Sequence, residues 1–248
     1  MIRGTIRRLV TSPWRILPDF VVLGAARCGT TTMYDLITSH PNIKPALDKE
    51  LEYFSTRHSF GALWYRSNFP MKQDNIITGE ATPRYLPHPS VPQRMSKLLP
   101  NTKMIILLRN PVDRAYSHYN MMRAQGTGTM SFEQSLQQEP TRDANSQELY
   151  RSWGLYADHI ERWLKYYDRR QFLILDTTKF KAERQRTMDT VFDFLGVSPH
   201  KIHDRPNLWG FAYKNTMRES TRKKLVEFYK PHNEKLYKLL GHSFDWDV

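Results

Sequence analysis

The chain has 248 residues, 40% hydrophobic and 12% aromatic, enough for a sizeable core, so wholesale disorder is excluded. Lys and Arg number 37 against 25 Asp and Glu, a formal net charge of +12. That excess suits a nucleotide, an acidic polymer, nucleic acid or a membrane surface, and does not choose among them.

The single cysteine, Cys28, rules out an intrachain disulfide and a cysteine-based zinc site. The nearest histidine pair, His200 and His203, lacks partners at metal-ligand spacing. No stretch approaches the ~18 consecutive apolar residues of a membrane span.

Residues 1–18, MIRGTIRRLVTSPWRILP, carry Arg3, Arg7, Arg8 and Arg15 and no acid. The expectation is a basic arm on the surface, with an organelle-targeting segment as the alternative. Arginine interrupts every apolar run, so a secretory core is missing. Asp19–Gly24 is a short apolar run ending in Gly and predicts a buried strand. Thr30–Ser39 follows with helical spacing at Met33, Leu36 and Ile37, and His40-Pro41 stops it. Ile76–Gly79 is a second short apolar run, and Ser90–Leu99 predicts a helix closed by Pro100. Lys103–Arg109 is the strongest strand, and Pro111 opens a helix through about Arg123. Gln125–Thr129 reads as a loop.

Trp153–Tyr167 has amphipathic helical spacing, Gln171–Asp176 is another buried strand, and Ala182–Leu195 is a helix closed by Gly196. Residues 197–216 look irregular, and Thr221–Leu240 reads as a helix broken near Pro231. Strands alternating with helices predict an α/β fold with a largely parallel sheet. Uniformly apolar strands predict helices on both faces. No repeat or linker divides residues 19–248, which read as a single domain.

The first strand runs into GAARCGTTT and then a helix, which is an anion-binding arrangement. Backbone N–H groups at a helix start are unpaired, and the helix dipole favours negative charge there. Gly24 and Gly29 permit the tight turn, Arg27 adds a fixed charge, and Thr30, Thr31 and Thr32 offer hydroxyls. The bland alternative is a strand-to-helix turn capped by threonine. A Walker A loop needs Lys after its second Gly, and Thr30 stands there instead, which argues against ATP or GTP hydrolysis. The G-x-G-x-x-G dinucleotide pattern is also absent.

Residues 18–41, PDFVVLGAARCGTTTMYDLITSHP, resemble the 5′-phosphosulfate-binding segment of sulfotransferases that use 3′-phosphoadenosine 5′-phosphosulfate (PAPS). Residues 103–119, KMIILLRNPVDRAYSHY, resemble their 3′-phosphate-binding segment. KELEYFS at 49–55, GEATPRYL at 79–86, GLYADHIERW at 154–163 and residues 224–246 follow in the order of the heparan sulfate, or carbohydrate, branch. The resemblance covers roughly residues 19–246. It implies a P-loop-like three-layer α/β fold with a central, mostly parallel sheet flanked by helices. It also implies sulfuryl transfer from PAPS to a hydroxyl or amine, with adenosine 3′,5′-bisphosphate as product and no metal.

The same resemblance implies roles for single residues. The nucleotide contacts it implies are Arg27, Cys28, Gly29, Thr30, Thr31 and Thr32 at the 5′ end, and Arg109 and Ser117 at the 3′-phosphate. Arg27 stands where many relatives carry a catalytic Lys and would stabilise the leaving phosphate electrostatically. Glu50 corresponds to the family's catalytic Glu and would take the acceptor's proton. Glu52 is an alternative base, and on a strand it would face the same side as Glu50. Lys49 reads as a solvated neighbour, and His118 as a surface residue. Glu80 and Arg84 either line the acceptor cleft or form a surface salt bridge. Ala81 replaces a second active-site Lys of the heparan sulfate relatives, which puts a heparan acceptor in doubt. Arg205, Tyr213 and Lys214 are candidates in a loop closing over the nucleotide.

A saccharide is the favoured acceptor by resemblance, and a cytoplasmic, bacterial-type enzyme without a membrane anchor is the expected setting. The competing readings are a P-loop kinase or nucleotidase, and a noncatalytic binder of acidic polymers. No nucleic-acid-binding motif supports a nucleic-acid partner.

Overall fold

The computed structural model describes residues 2–127, 129–139, 146, 148–203 and 216–246. In chain order the elements are α1 (Ile2–Val10), β1 (Phe20–Gly24), α2 (Thr30–Ile37), β2 (Ile43–Pro45), α3 (Gly61–Arg66), β3 (Ile77–Ala81), α4 (Val91–Leu98) and β4 (Lys103–Leu108). There follow α5 (Pro111–Ala124), α6 (Phe132–Gln138), α7 (Tyr156–Leu164), β5 (Phe172–Asp176), α8 (Thr177–Ala182), α9 (Arg184–Leu195) and α10 (Glu219–Leu240).

The sheet has five strands in the order β2-β3-β1-β4-β5, and every pairing is parallel. Phe20 lies opposite Gly79 on one side and Lys103 on the other, so β1 is central. Every residue of β1 is buried, and so are the last five of β4. A strand buried on both faces has no need of alternation, which explains its continuous apolar pattern. Gly79 is required where it stands, because a Cβ there would lie 2.4 Å from the Phe20 ring. Helix α2 packs on β1 and β3 and against α9, while α10 packs on α7 and α5. A second apolar cluster joins Val112, Met122, Phe132, Leu225 and Tyr229 beside the main core. This is the expected helix-flanked parallel α/β fold.

Several local expectations change. The arm at 2–10 is helical. The helix expected from Trp153 starts at Tyr156, after a 3-10 turn over Ser152–Gly154. The strand expected over 76–79 runs on through Glu80 and Ala81. Helix α10 is continuous through Pro231. Pro231 and Glu227 are exposed, so the carbonyl that the proline leaves unpaired faces water. Leu225, Tyr229 and Leu236 bury the opposite face on both sides of the proline. The short elements β2, α3 and α6 carry no clear periodic signal in the sequence.

Candidate active site

Three central strands, β3, β1 and β4, deliver their carboxyl ends side by side, where open α/β sheets bind ligands. The loop after β1 is pinned on both flanks. Ala25 N–H donates to the Leu107 carbonyl at 2.8 Å, and Thr177 Oγ1 donates to the Cys28 carbonyl at 2.9 Å. Gly29 takes φ +90° as the residue preceding α2, a conformation open to glycine at little cost. The first intrahelical bond runs from Met33 N–H to the Gly29 carbonyl at 3.0 Å. The N–H groups of Thr30, Thr31 and Thr32 therefore lie in the first turn, where the helix supplies no acceptor.

Cys28 differs from its neighbours in the loop. Its N–H is taken by the Ala25 carbonyl at 3.1 Å, and its thiol is buried 3.9 Å from the Tyr156 hydroxyl. Burial pushes the thiol's pKa up, so it stays protonated.

Arg27 adopts φ +74° and reaches across to α5. Its Nε donates to Ser117 Oγ at 3.2 Å, and Nη1 lies 3.3 Å from Met121 Sδ. Arg27 and Ser117, 90 residues apart, thus join the two segments that the resemblance places at the 5′ end and the 3′-phosphate of the nucleotide. Arg109 follows β4 directly, half-buried, with its carbonyl accepting from the Tyr156 hydroxyl at 3.0 Å. Asn110 caps α5 by accepting from Val112 N–H at 2.9 Å, and Pro111 occupies the first turn.

The neighbouring His118 is buried, against expectation. It packs on Trp153 at 4.8 Å and Tyr150 at 5.1 Å between ring centroids. Burial, then the Arg114 and Arg27 charges, push its pKa well down, so the imidazole is neutral. The face of α5 that carries His118 meets the second apolar cluster, which the sequence spacing alone does not reveal.

Glu50 and Glu52 sit in a turn rather than a strand, with φ +59° and +55°. Glu50 N–H donates to the Ala81 carbonyl at 3.0 Å, which ties the turn to the end of β3. The Glu50 side chain is 53% exposed and ion-pairs with Lys49 Nζ at 3.5 Å. Lys49 also donates to Thr31 Oγ1 on the anion loop. Burial lowers the Lys49 pKa, and Arg27 adds to that while Glu50 opposes it. Lys49 is therefore part of the site, joining the candidate base to the loop. Its only sequence signal is its place next to Glu50. Glu52 instead accepts from Ser55 Oγ, and burial raises its pKa.

Glu80 makes no surface salt bridge. It is fully buried in β3, where Tyr65 donates at 2.5 Å and Thr82 at 2.7 Å to its two oxygens. Burial pushes its pKa up to about 7, against the pull of those hydrogen bonds. The Tyr85 hydroxyl, 3.5 Å from Glu80, accepts from Phe54 N–H at 3.3 Å. Arg94 of α4 donates to the Phe54 carbonyl at 2.9 Å. The turn carrying Glu50 and Glu52 is thereby braced from beneath. Arg84 is half-buried. Arg205, Tyr213 and Lys214 lie outside the described residues.

Chemically, the arrangement offers an anion cradle, cations at Arg27, Lys49 and Arg109, and one exposed carboxylate beside them. The sulfotransferase domain model matches residues 17–246. The chain is 28% identical over 98% of its length to human heparan sulfate glucosamine 3-O-sulfotransferase 3A1, covering 66% of that protein. It is 30% identical over 90% of its length to human bifunctional heparan sulfate N-deacetylase/N-sulfotransferase 3, covering 30% of it. The chain thus spans about two thirds of the first relative and under a third of the second. The solved structure of a sulfotransferase from Alicyclobacillus acidocaldarius superposes with a TM-score of 0.83 at 28% identity, covering 94% of this chain and 100% of that one.

Proposed function

Because the chain belongs to the sulfotransferase family, we propose that it moves a sulfuryl group from PAPS to a hydroxyl or amine of a saccharide. The observation that carries this reading is the Arg27–Ser117 contact at 3.2 Å, with Lys49 and Glu50 held against the same loop through Thr31. A donor with phosphates at both ends needs two anion sites within one molecule's reach. The start of α2 with Arg27 and the start of α5 with Arg109 and Ser117 supply them.

PAPS brings an activated sulfuryl group, and adenosine 3′,5′-bisphosphate is the leaving product. The residues do the rest. Arg27 holds positive charge where the leaving phosphate develops its own negative charge, and it does so without proton exchange. Lys49 keeps the Glu50 carboxylate beside the loop. Glu50, half in solvent, accepts the proton that the acceptor group loses as its oxygen or nitrogen bonds to sulfur. Positioning and electrostatics supply most of the rate in such transfers. Arg27, Lys49 and Arg109 provide the cations, so the reading includes transfer without a metal.

The saccharide acceptor rests on the relatives, which include both an O- and an N-sulfotransferase of heparan sulfate. Glu50, rather than the half-buried Glu52 whose carboxylate is held by Ser55, is the base because its carboxylate is the more open to an acceptor. The test is transfer of labelled sulfate from PAPS to a panel of heparan-type and other saccharides, with and without a chelator. Label in a saccharide, undiminished by chelator, is the expected result. Label in no saccharide, together with tight Mg-ATP binding, would restore the kinase reading.

A further inference from the structure

The segment before β1 has no part in this chemistry, yet it is built with care. Along α1, at ~100° per residue, Ile6, Leu9 and Val10 fall on one side and Arg7 and Arg8 on the other. A helix on a globular domain normally buries such a stripe. Here Ile6 is 55% exposed, Leu9 37% and Val10 65%.

The stripe continues onto a rigid platform. Arg15 Nη1 donates to the Phe69 carbonyl at 2.6 Å, and Arg66 Nε donates to the Arg15 carbonyl at 2.7 Å. Ile16 N–H donates to the Pro70 carbonyl and Lys72 N–H to the Trp14 carbonyl, at 3.1 and 3.0 Å. These bonds fix Trp14, 63% exposed, close to Met71, 40% exposed. Helix α3 packs on the same 3-10 turn, Ser12–Trp14, and presents Leu63 at 60% exposure. Large exposed apolar side chains from three chain segments therefore share one neighbourhood. Patches of that kind mark interaction surfaces.

Charge identifies the occupant. Residues 1–18 carry four arginines and no acid. Arg7 and Arg8 are close enough to Arg15 to repel it. A second copy would bring the same cations face to face. A nucleic acid would accept the arginines and leave Ile6, Val10 and Trp14 in water. An acidic lipid surface satisfies both sets, with an apolar stripe at the acyl boundary, arginines at the headgroups and an indole between.

We propose that α1 and the Trp14–Met71–Leu63 platform dock the enzyme peripherally on an anionic bilayer. The inference stands apart from the proposed transfer, because it uses none of the site residues.

Flotation of the full chain with phosphatidylcholine vesicles, with and without phosphatidylserine, tests it. The expected result is recovery with the anionic vesicles, weak recovery with neutral ones, and loss of binding at high salt. The pair Arg7→Gln and Arg8→Gln should weaken binding roughly 25-fold, about fivefold for each charge. The pair Ile6→Asp and Val10→Asp should abolish it. Transfer to a soluble acceptor should be unchanged in both, which also reports that each variant folds. Equal recovery with neutral vesicles, or wild-type binding by the Ile6 and Val10 pair, would overturn the proposal. So would a dimer that the aspartates dissociate, because the stripe would then be a self-association face.

Discussion

The two halves of the proposed site, the loop after β1 with the start of α5 and the turn around Glu50, are constructed differently. The first, residues 25–32 with the start of α5, is made mainly from strand ends, helix starts and a cap set by neighbours in the chain, with Leu107 and Thr177 only pinning its flanks. The second, the turn around Glu50, is held by Ala81, Tyr85 and Arg94, which come from β3, the segment after it, and α4. A phosphate can be met by backbone N–H groups, which any sequence carries. Proton removal needs one carboxylate at one place, and only packing puts it there. Substitutions in the two halves should therefore fail in different ways.

The largest effect is expected at Glu50. Glu50→Gln should lower kcat/KM by about 10²–10⁴-fold while leaving adenosine 3′,5′-bisphosphate affinity unchanged by calorimetry. A parallel loss of nucleotide affinity would merge the two halves. Arg27→Ala comes next, at about 3–4 kcal/mol of transition-state energy in steady-state kinetics. Unlike Glu50→Gln, it should weaken nucleotide binding too. Retained affinity would show that Arg27 serves only the acceptor side.

Glu80 probes the brace. Burial pushes its folded carboxyl up to about 7 from an ordinary 4.5, so between those values the folded chain holds the proton that the unfolded chain has released. Stability should fall as pH rises through that window and level off above it, by up to about 3 kcal/mol from this group. Denaturant melts should show that slope, and Glu80→Gln should flatten it. An unchanged slope would remove Glu80 as its source.

Lys49→Met should cost about 2 kcal/mol in kcat/KM, as expected for losing a charge-assisted contact, with melting little changed. The smallest effect belongs to the local half. Asn110→Ala removes the cap of α5 and should cost about 1 kcal/mol, lowering Tm by roughly 2–4 °C. A drop several times larger would mean that the start of α5 depends on tertiary contacts after all.

Much of this molecule is legible in its amino acids. Apolar runs predict β1, β4 and β5; in β1 and β4 the run is unbroken because a strand covered on both faces has no polar side to record. Gly29 and the threonines mark the anion loop, and Asn110-Pro111 marks the start of α5, because turns and caps are decided by the nearest few residues. Other features depend on what arrives from elsewhere. Glu80 reads as a surface or cleft charge until Tyr65 and Tyr85 close over it. His118 reads as exposed until Trp153 packs on it. Lys49 reads as a solvated neighbour until Thr31 and Glu50 are found on either side of it. Pro231 reads as a helix break, but the buried face of α10 carries the helix through. The physical reason is the same each time. Backbone pattern and capping are short-range and written locally, whereas burial and charge environment belong to the pair of surfaces that meet.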